Sequence, residues 1–194
     1  GGRDNLPVMF WIHGGGNTSG HKDFYNFSEL VKRKDVIIVT SNYRLGPLGF
    51  FTHPAIQDFN SGIDKTSNFG ILDIVLALKW VNENIAAFGG DPNNITIFGE
   101  SAGGHNVFSL LVAQQAKGLF HKAISQSGYT KSSSLQNAYK SENFNDASTS
   151  DSWTVVNNII VEKKLANNLN EANIFQSNSS KEDLRKILYE TNAQ

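Results

Sequence analysis

Gly99-Glu100-Ser101-Ala102-Gly103-Gly104 stands between a β-branched run, Asn94-Ile95-Thr96-Ile97-Phe98, and apolar residues at helical spacing, Val107, Leu110 and Leu111. A Gly-x-Ser-x-Gly pattern at such a junction predicts a sharp strand-to-helix turn. That turn forces the serine into a strained backbone conformation, so its neighbours must be small. Ser101 is then expected at the carboxyl edge of a sheet and at a helix N-terminus, where partial positive charge gathers. A serine so placed is a candidate nucleophile. The pattern is short, and it also fits an ordinary turn.

A second feature narrows the choice. The apolar run Val8-Met9-Phe10-Trp11-Ile12 predicts a buried parallel strand, and His13-Gly14-Gly15-Gly16 follows it directly. Three glycines let a backbone approach a ligand closely and aim amide N–H groups at it. Attack of a serine on an ester places negative charge on the carbonyl oxygen, and each fixed N–H donor is worth roughly 3 kcal/mol of barrier. A flexible loop or a phosphate-binding loop would also be glycine-rich. No Gly-Lys-Ser/Thr or Gly-x-Gly-x-x-Gly pattern follows, which argues against phosphate.

Further motifs stand in order: Asn42-Tyr43-Arg44-Leu45-Gly46-Pro47-Leu48-Gly49-Phe50 after Val36-Ile37-Ile38-Val39, then Asn68-Phe69-Gly70-Ile71-Leu72-Asp73 leading into Ala77-Leu78-Lys79-Trp80-Val81-Asn82-Glu83-Asn84-Ile85, Phe88-Gly89-Gly90-Asp91-Pro92, and Ala123-Ile124-Ser125-Gln126-Ser127-Gly128. With the glycine triplet and the serine turn, this series resembles the type-B carboxylesterase family of carboxylesterases, cholinesterases and related lipases, from about Pro7 to Gly128. The resemblance implies an α/β-hydrolase fold, here a partial, mostly parallel sheet with helices on both faces. It implies a carboxylic ester hydrolase acting on a small-molecule ester through an acyl-enzyme, with no cofactor. Ser101 matches the acylated nucleophile, and the amides of Gly15, Gly16 and Ala102 match the oxyanion donors. Glu100 matches a supporting acid beside the nucleophile that is not the triad acid. Ser127 matches a buried serine near the triad acid. Asn17 departs from the family, which usually has an aromatic or other apolar residue there, and this alters the acyl pocket beside the oxyanion hole. Arg44 and Asp73 read as an internal salt bridge beneath the site floor. Two alternatives share the fold: a non-catalytic adhesion or binding module, which typically loses the nucleophile, and another acyl-transfer hydrolase.

A serine hydrolase needs a general base and an acid that orients it, in the α/β-hydrolase order Ser, Asp/Glu, His. After Ser101 the sequence offers His105 and His121. His121 reads as a strand-flanking surface residue. His105 lies four residues past the serine on one helical face, and is expected to point toward the buried side of the turn. Neither matches the family histidine, and nothing here matches the acid. Gly1-Gly2-Arg3-Asp4-Asn5 also runs straight into the first strand. The chain therefore reads as an internal piece of a longer esterase.

Alternating strands (7–12, 36–41, 94–98, 122–126) and helices predict a parallel sheet whose ligands bind at the strand carboxyl ends. Residues 1–128 read as the central part of the hydrolase core, with its N- and C-terminal parts missing. Residues 129–194 read as a polar loop (130–154) and two helices, near 153–169 and 181–189, close to the active-site entrance. Apolar residues at Ile71, Ile74, Val75, Leu78, Val81 and Ile85 predict the middle helix.

Composition sets outer bounds. With 17 basic and 18 acidic residues the net charge is −1, and the basic cluster Lys32-Arg33-Lys34 reads as a helix end, so nucleic acid is not implied. There is no cysteine, which excludes disulfides and Cys-based zinc sites. No His-x-x-x-His pair implies a metal, and no apolar run approaches membrane-spanning length. Asn-x-Ser/Thr sequons occur at Asn17, Asn26, Asn94 and Asn178.

Overall fold

The computed structural model describes residues 5–142 and 151–191. The strands are β1 (Leu6–Ile12), β2 (Ile37–Thr40), β3 (Gly90–Glu100) and β4 (Lys122–Gln126). The helices are α1 (Ser28–Arg33), α2 (Gly46–Phe50), α3 (Pro54–Gln57), α4 (Phe69–Asn84), α5 (Ala102–Val112), α6 (Leu135–Tyr139), α7 (Ser152–Glu162), α8 (Leu169–Asn178) and α9 (Lys181–Tyr189). The chain forms two compact units, Gly1–Gly49 with Asn68–Lys131 and Phe50–Ser67 with Ser132–Gln194.

The first unit is built on a parallel sheet of order β2-β1-β3-β4. β1 lies second in this order, and its side chains are buried on both sides toward its carboxyl end: Phe10, Trp11 and Ile12 are all inaccessible. Phe10 lies opposite Ile97, and Trp11 lies opposite Phe98 on the other face. Trp11 also meets Tyr25 and Phe27 edge-on at 5.2 and 5.3 Å. Such two-sided burial is why the run is continuously apolar rather than alternating. α4 forms as its spacing predicts, burying Ile74, Val75, Leu78 and Val81. It passes into a short 3₁₀ turn that Gly89 stops at φ +83°. α1 ends on Lys32 and Arg33, as cations at a helix carboxyl end should.

The second unit packs Ala55, Val156, Ile160, Ala172 and Leu184 into its own core, with Phe51, Phe175 and Leu188 against it. The helix expected over 153–169 stops at Glu162, and Lys164 turns left-handed at φ +58°. Asn168 then caps a separate helix, α8, by accepting from Glu171 N–H, so the apolar spacing of Leu165 and Leu169 belongs to a break and a new start. The polar stretch expected as a loop over 130–154 contains α6, capped by Ser134, and its last three residues already belong to α7, capped by Asp151. The rest of that stretch, 143–150, lies outside the described residues, as do residues 1–4. Among the described residues no helix is long and apolar enough to cross a membrane.

Candidate active site

β1 and β3 end side by side, Ile12 opposite Gly99. This pairing brings the loop after β1 against the turn after β3. Ser101 sits in that turn at φ +55°, ψ −119°, a region non-glycine residues avoid at a cost of roughly 1–3 kcal/mol. The turn explains its glycines. A Cβ on Gly99 would lie 2.5 Å from the Gly103 backbone, and one on Gly103 would strike the Ile12 carbonyl. α5 therefore starts in direct contact with β1. Ser101 N–H is spent on the Gln126 carbonyl (2.9 Å). Its side chain makes no capping bond to α5, unlike most serines at helix starts, so the hydroxyl stays available.

The glycine loop faces this serine. A Cβ on Gly14 would lie 3.2 Å from Ser101 Cβ and 2.7 Å from the Glu100 carbonyl. In a trans peptide the C=O and the following N–H point in opposite directions, so whatever anchors a carbonyl aims the next amide. The Gly15 carbonyl accepts from Thr18 N (3.1 Å), Ser19 N (3.0 Å), Thr18 Oγ1 (3.3 Å) and Ser19 Oγ (3.1 Å). Gly16 N–H is thereby turned away from these four donors. The Gly14 carbonyl is held by His13 Nδ1 at 2.8 Å, which orients Gly15 N–H in the same manner. The Ser101 carbonyl accepts from His105 N–H (3.0 Å), leaving Ala102 N–H at the open start of α5. Gly15 and Gly16 adopt φ +98° and +65°. Their amides donate to no backbone carbonyl among the described residues.

Sequence reasoning missed the groups that hold this loop. His13 is buried, and desolvation lowers its pKa despite the Gly14 bond, so the ring is neutral and serves as a hydrogen-bonding strut. Tyr43 stacks on it at 4.4 Å and places its hydroxyl 2.7 Å from the His13 carbonyl. Burial pushes the phenol up to about 12, keeping it a donor. Asn17 turns left-handed (φ +59°), and its carboxamide meets that of the buried Asn106 on α5. No short motif marks the Tyr43–His13 and Asn17–Asn106 contacts, because each joins segments far apart in sequence.

The remaining candidates stand apart. Glu100 ends β3 beside the glycine loop. Ser127, expected to be buried, is exposed and left-handed at φ +52°. The reason is that β4 forms the sheet edge among the described residues, with even Ile124 exposed. His121 extends the β3–β4 pairing, donating N–H to Ile95 O (2.8 Å) and accepting Ile95 N–H on Nδ1 (3.2 Å), as a strand-flanking residue should. His105 is half-exposed rather than turned into the buried side. It stacks on Tyr129 at 4.5 Å with Nδ1 2.6 Å from the Tyr129 carbonyl. Neither histidine hydrogen-bonds Ser101 through its ring among the described residues.

Arg44 and Asp73 do pair, through Nε–Oδ2 and Nη2–Oδ1 contacts of 2.8 Å each, and Arg44 N–H adds a third bond to Oδ2 (2.9 Å). The expectation of an internal bridge needs correction, since the Arg44 side chain is 51% exposed and that of Asp73 24%. The guanidinium lies over the Phe69 ring, 5.1 Å from its centroid. Partial burial pushes the Asp73 carboxyl up, but the bonds and charge of Arg44 outweigh it and hold the group below its ordinary value. No three His, Cys, Asp or Glu side chains converge as metal ligands among the described residues.

Comparison with known proteins points the same way as this geometry. Residues 2–186 match the carboxylesterase family. The para-nitrobenzyl esterase of Bacillus subtilis (strain 168) is 50% identical over 136 residues, covering 69% of this chain and 27% of that protein. Human cocaine esterase is 50% identical over 124 residues, covering 64% and 21%. A solved PNB esterase superposes with a TM-score of 0.65 at 38% identity over 96% of this chain and 36% of its own. An esterase of Clostridium hathewayi, described as hydrolysing aliphatic aromatic polyesters, gives 0.64 at 35% identity over 97% and 35%. The chain thus spans about a quarter of the length of the curated relatives it matches and about a third of the solved ones. The family match runs over residues 2–186 of the 194, on a parallel sheet that superposes on those of solved esterases, and the chain belongs to the carboxylesterase family.

Proposed function

We propose that this chain carries the nucleophile and oxyanion hole of a serine carboxylic ester hydrolase acting on small-molecule esters. The observation that carries the reading is Ser101 at φ +55°, its side chain making no capping bond, against a loop whose Gly15 and Gly16 amides donate to no backbone carbonyl among the described residues and follow anchored carbonyls. In this reading Ser101 Oγ attacks the ester carbonyl carbon and its proton passes to a general base. The carbonyl oxygen takes up negative charge, and the amides of Gly15, Gly16 and Ala102 stabilise it. As the tetrahedral intermediate collapses, the base returns the proton to the leaving oxygen, the alcohol departs, and an acyl-Ser101 ester remains, which water hydrolyses to the acid with the same base. Glu100 supports the turn from the end of β3. Without a base the hydroxyl keeps its proton at neutral pH and is a weak nucleophile. Among the described residues the His105 and His121 rings are engaged elsewhere, so neither is assigned as that base.

In the protein that carries this chain, Ser101→Ala is expected to reduce hydrolysis of a p-nitrophenyl ester by roughly 10⁴-fold or more, as loss of a triad nucleophile does. Turnover within tenfold of the unsubstituted protein would reject the reading.

A further inference from the structure

Asn17 stands where the resemblance leads one to expect an apolar residue, and the structure shows where its polar group goes. Asn106 Nδ2 donates to Asn17 Oδ1 at 2.9 Å, and Asn17 Nδ2 lies 3.4 Å from Asn106 Oδ1, so the two carboxamides face each other at both ends. The Tyr43 hydroxyl lies 3.2 Å from Asn17 Oδ1 and 2.7 Å from the His13 carbonyl. The Asn17 carbonyl accepts Gly46 N–H at 2.6 Å. Asn106 is almost wholly buried, 1% exposed, so its amide depends on these partners.

The placement matters because of what each asparagine is attached to. Asn17 directly follows the two glycines assigned as oxyanion donors, and its own φ of +59° continues their left-handed path. Asn106 lies five residues past Ser101 on α5, a helix that begins at the nucleophile and is locked to β1 by the Gly103–Ile12 contact. A link from Asn106 to Asn17 therefore fixes the glycine loop relative to the serine, one end on each. An exposed loop of three successive left-handed residues has no other side-chain tie to α5 among the described residues.

We propose that Asn106 and Asn17 are paired positioning residues, which hold the Gly15 and Gly16 amides in register with the oxyanion formed at Ser101. The proposal rests on the assignment of Ser101 as nucleophile. Neither asparagine touches the reacting atoms. The pair replaces the apolar contact expected at position 17 with a directional one.

The test uses Asn17→Gly, Asn106→Ser and the double variant in the protein that carries this chain, with Ser101→Ala assayed alongside on p-nitrophenyl esters of short and long acyl chain. Asn17→Gly removes the carboxamide while keeping the left-handed backbone unstrained. Misplacement of a catalytic group by about 1 Å costs on the order of 10²-fold, and here the partial loosening is expected to lower kcat by roughly 10-fold or more. KM is expected to stay within about twofold for every ester, and the double variant to be no worse than the poorer single one, as for two ends of one contact. Unchanged kcat in Asn17→Gly overturns the proposal, and this variant decides alone if Asn106→Ser does not fold. Losses that multiply in the double variant overturn it. So does a rise in KM that depends on acyl length, which would make Asn17 a substrate contact. If Ser101→Ala itself retains activity, the nucleophile assignment has failed. If it is inactive while Asn17→Gly behaves like the parent, the positioning role alone has failed.

Discussion

In the proposed site, Ser101 and Gly16 act through their backbone conformation. A Cβ on Gly15 would collide with the Ser19 carbonyl, so that position forbids any side chain. At Gly16 the nearest atom to an added Cβ is Thr18 Oγ1 at 3.5 Å, which leaves room. What Gly16 supplies is φ +65°, a conformation β-branched residues resist. Gly16→Val should therefore fold but misdirect its amide, lowering kcat by roughly 100-fold through loss of one oxyanion donor. Unchanged kinetics would move the oxyanion hole elsewhere. Arg44 is a residue at which the structure changes the expected magnitude. A buried pair would lose about 3–5 kcal/mol on removal of one partner. With Arg44 half-exposed and two side-chain bonds to lose, Arg44→Met is expected to lower the unfolding free energy by about 1–2 kcal/mol. Urea denaturation measures this, and a loss above about 3 kcal/mol would show the pair to be desolvated after all.

At the scale of elements, α4 was legible because burial of one face writes a helical period into the sequence, and β1 and β3 because burial on both faces leaves a continuous apolar or β-branched run. β3 begins earlier than its β-branched core, at Gly90, because pairing of Leu6 with Gly90 extends it through residues that carry no strand signal. α8 was illegible for a different reason. Ala172 and Gln176 are its only fully buried residues, so its sequence has no apolar stripe, and only the Asn168 cap marks its start. The turn before α3 hides a titration. His53 is buried between Phe51, Tyr139 and Trp153, accepts Ala55 N–H on Nδ1 (3.1 Å), and faces the Gln176 carboxamide with Nε2 at 3.1 Å. Burial lowers its pKa from 6.5 to about 4. Between these values the unfolded chain binds a proton that the folded one does not, so stability is complete above about pH 6.5 and falls as pH drops toward 4. The loss at the low end is about 3 kcal/mol. Asp151 adds to it at lower pH: burial pushes its carboxyl up, but bonds from Ser141 and Thr154 hold it below the ordinary value. Thermal melting from pH 7 to 4 is expected to show a decline that His53→Leu removes. A melting temperature flat across that range in the parent protein would refute the buried neutral ring.

Over the whole molecule, the order of motifs was legible and the partition of the chain was not. Phe50–Ser67 leaves the sheet-forming sequence between β2 and α4 and groups with the residues after Lys131, through contacts such as the Lys181–Asp58 ion pair and the Arg185 guanidinium over Phe59. No composition shift announces such a return, because it depends on which distant surfaces match. The site divides likewise. The residues proposed for the site, Ser101, Gly15, Gly16 and Ala102, stand out in two motifs, since strain and close approach demand particular residue types at fixed spacing. His13, Tyr43, Asn17 and Asn106 could not be read as supports, because ordinary polar residues become struts only when three strand ends converge. The central claim is that this convergence makes Ser101 a nucleophile, and fluorophosphonate labelling with peptide mapping tests it most directly. In the protein that carries this chain, the phosphonyl adduct is expected on the peptide containing Ser101 and absent from Ser101→Ala. Equal labelling of the two proteins, or an adduct mapped to another serine, would contradict the account.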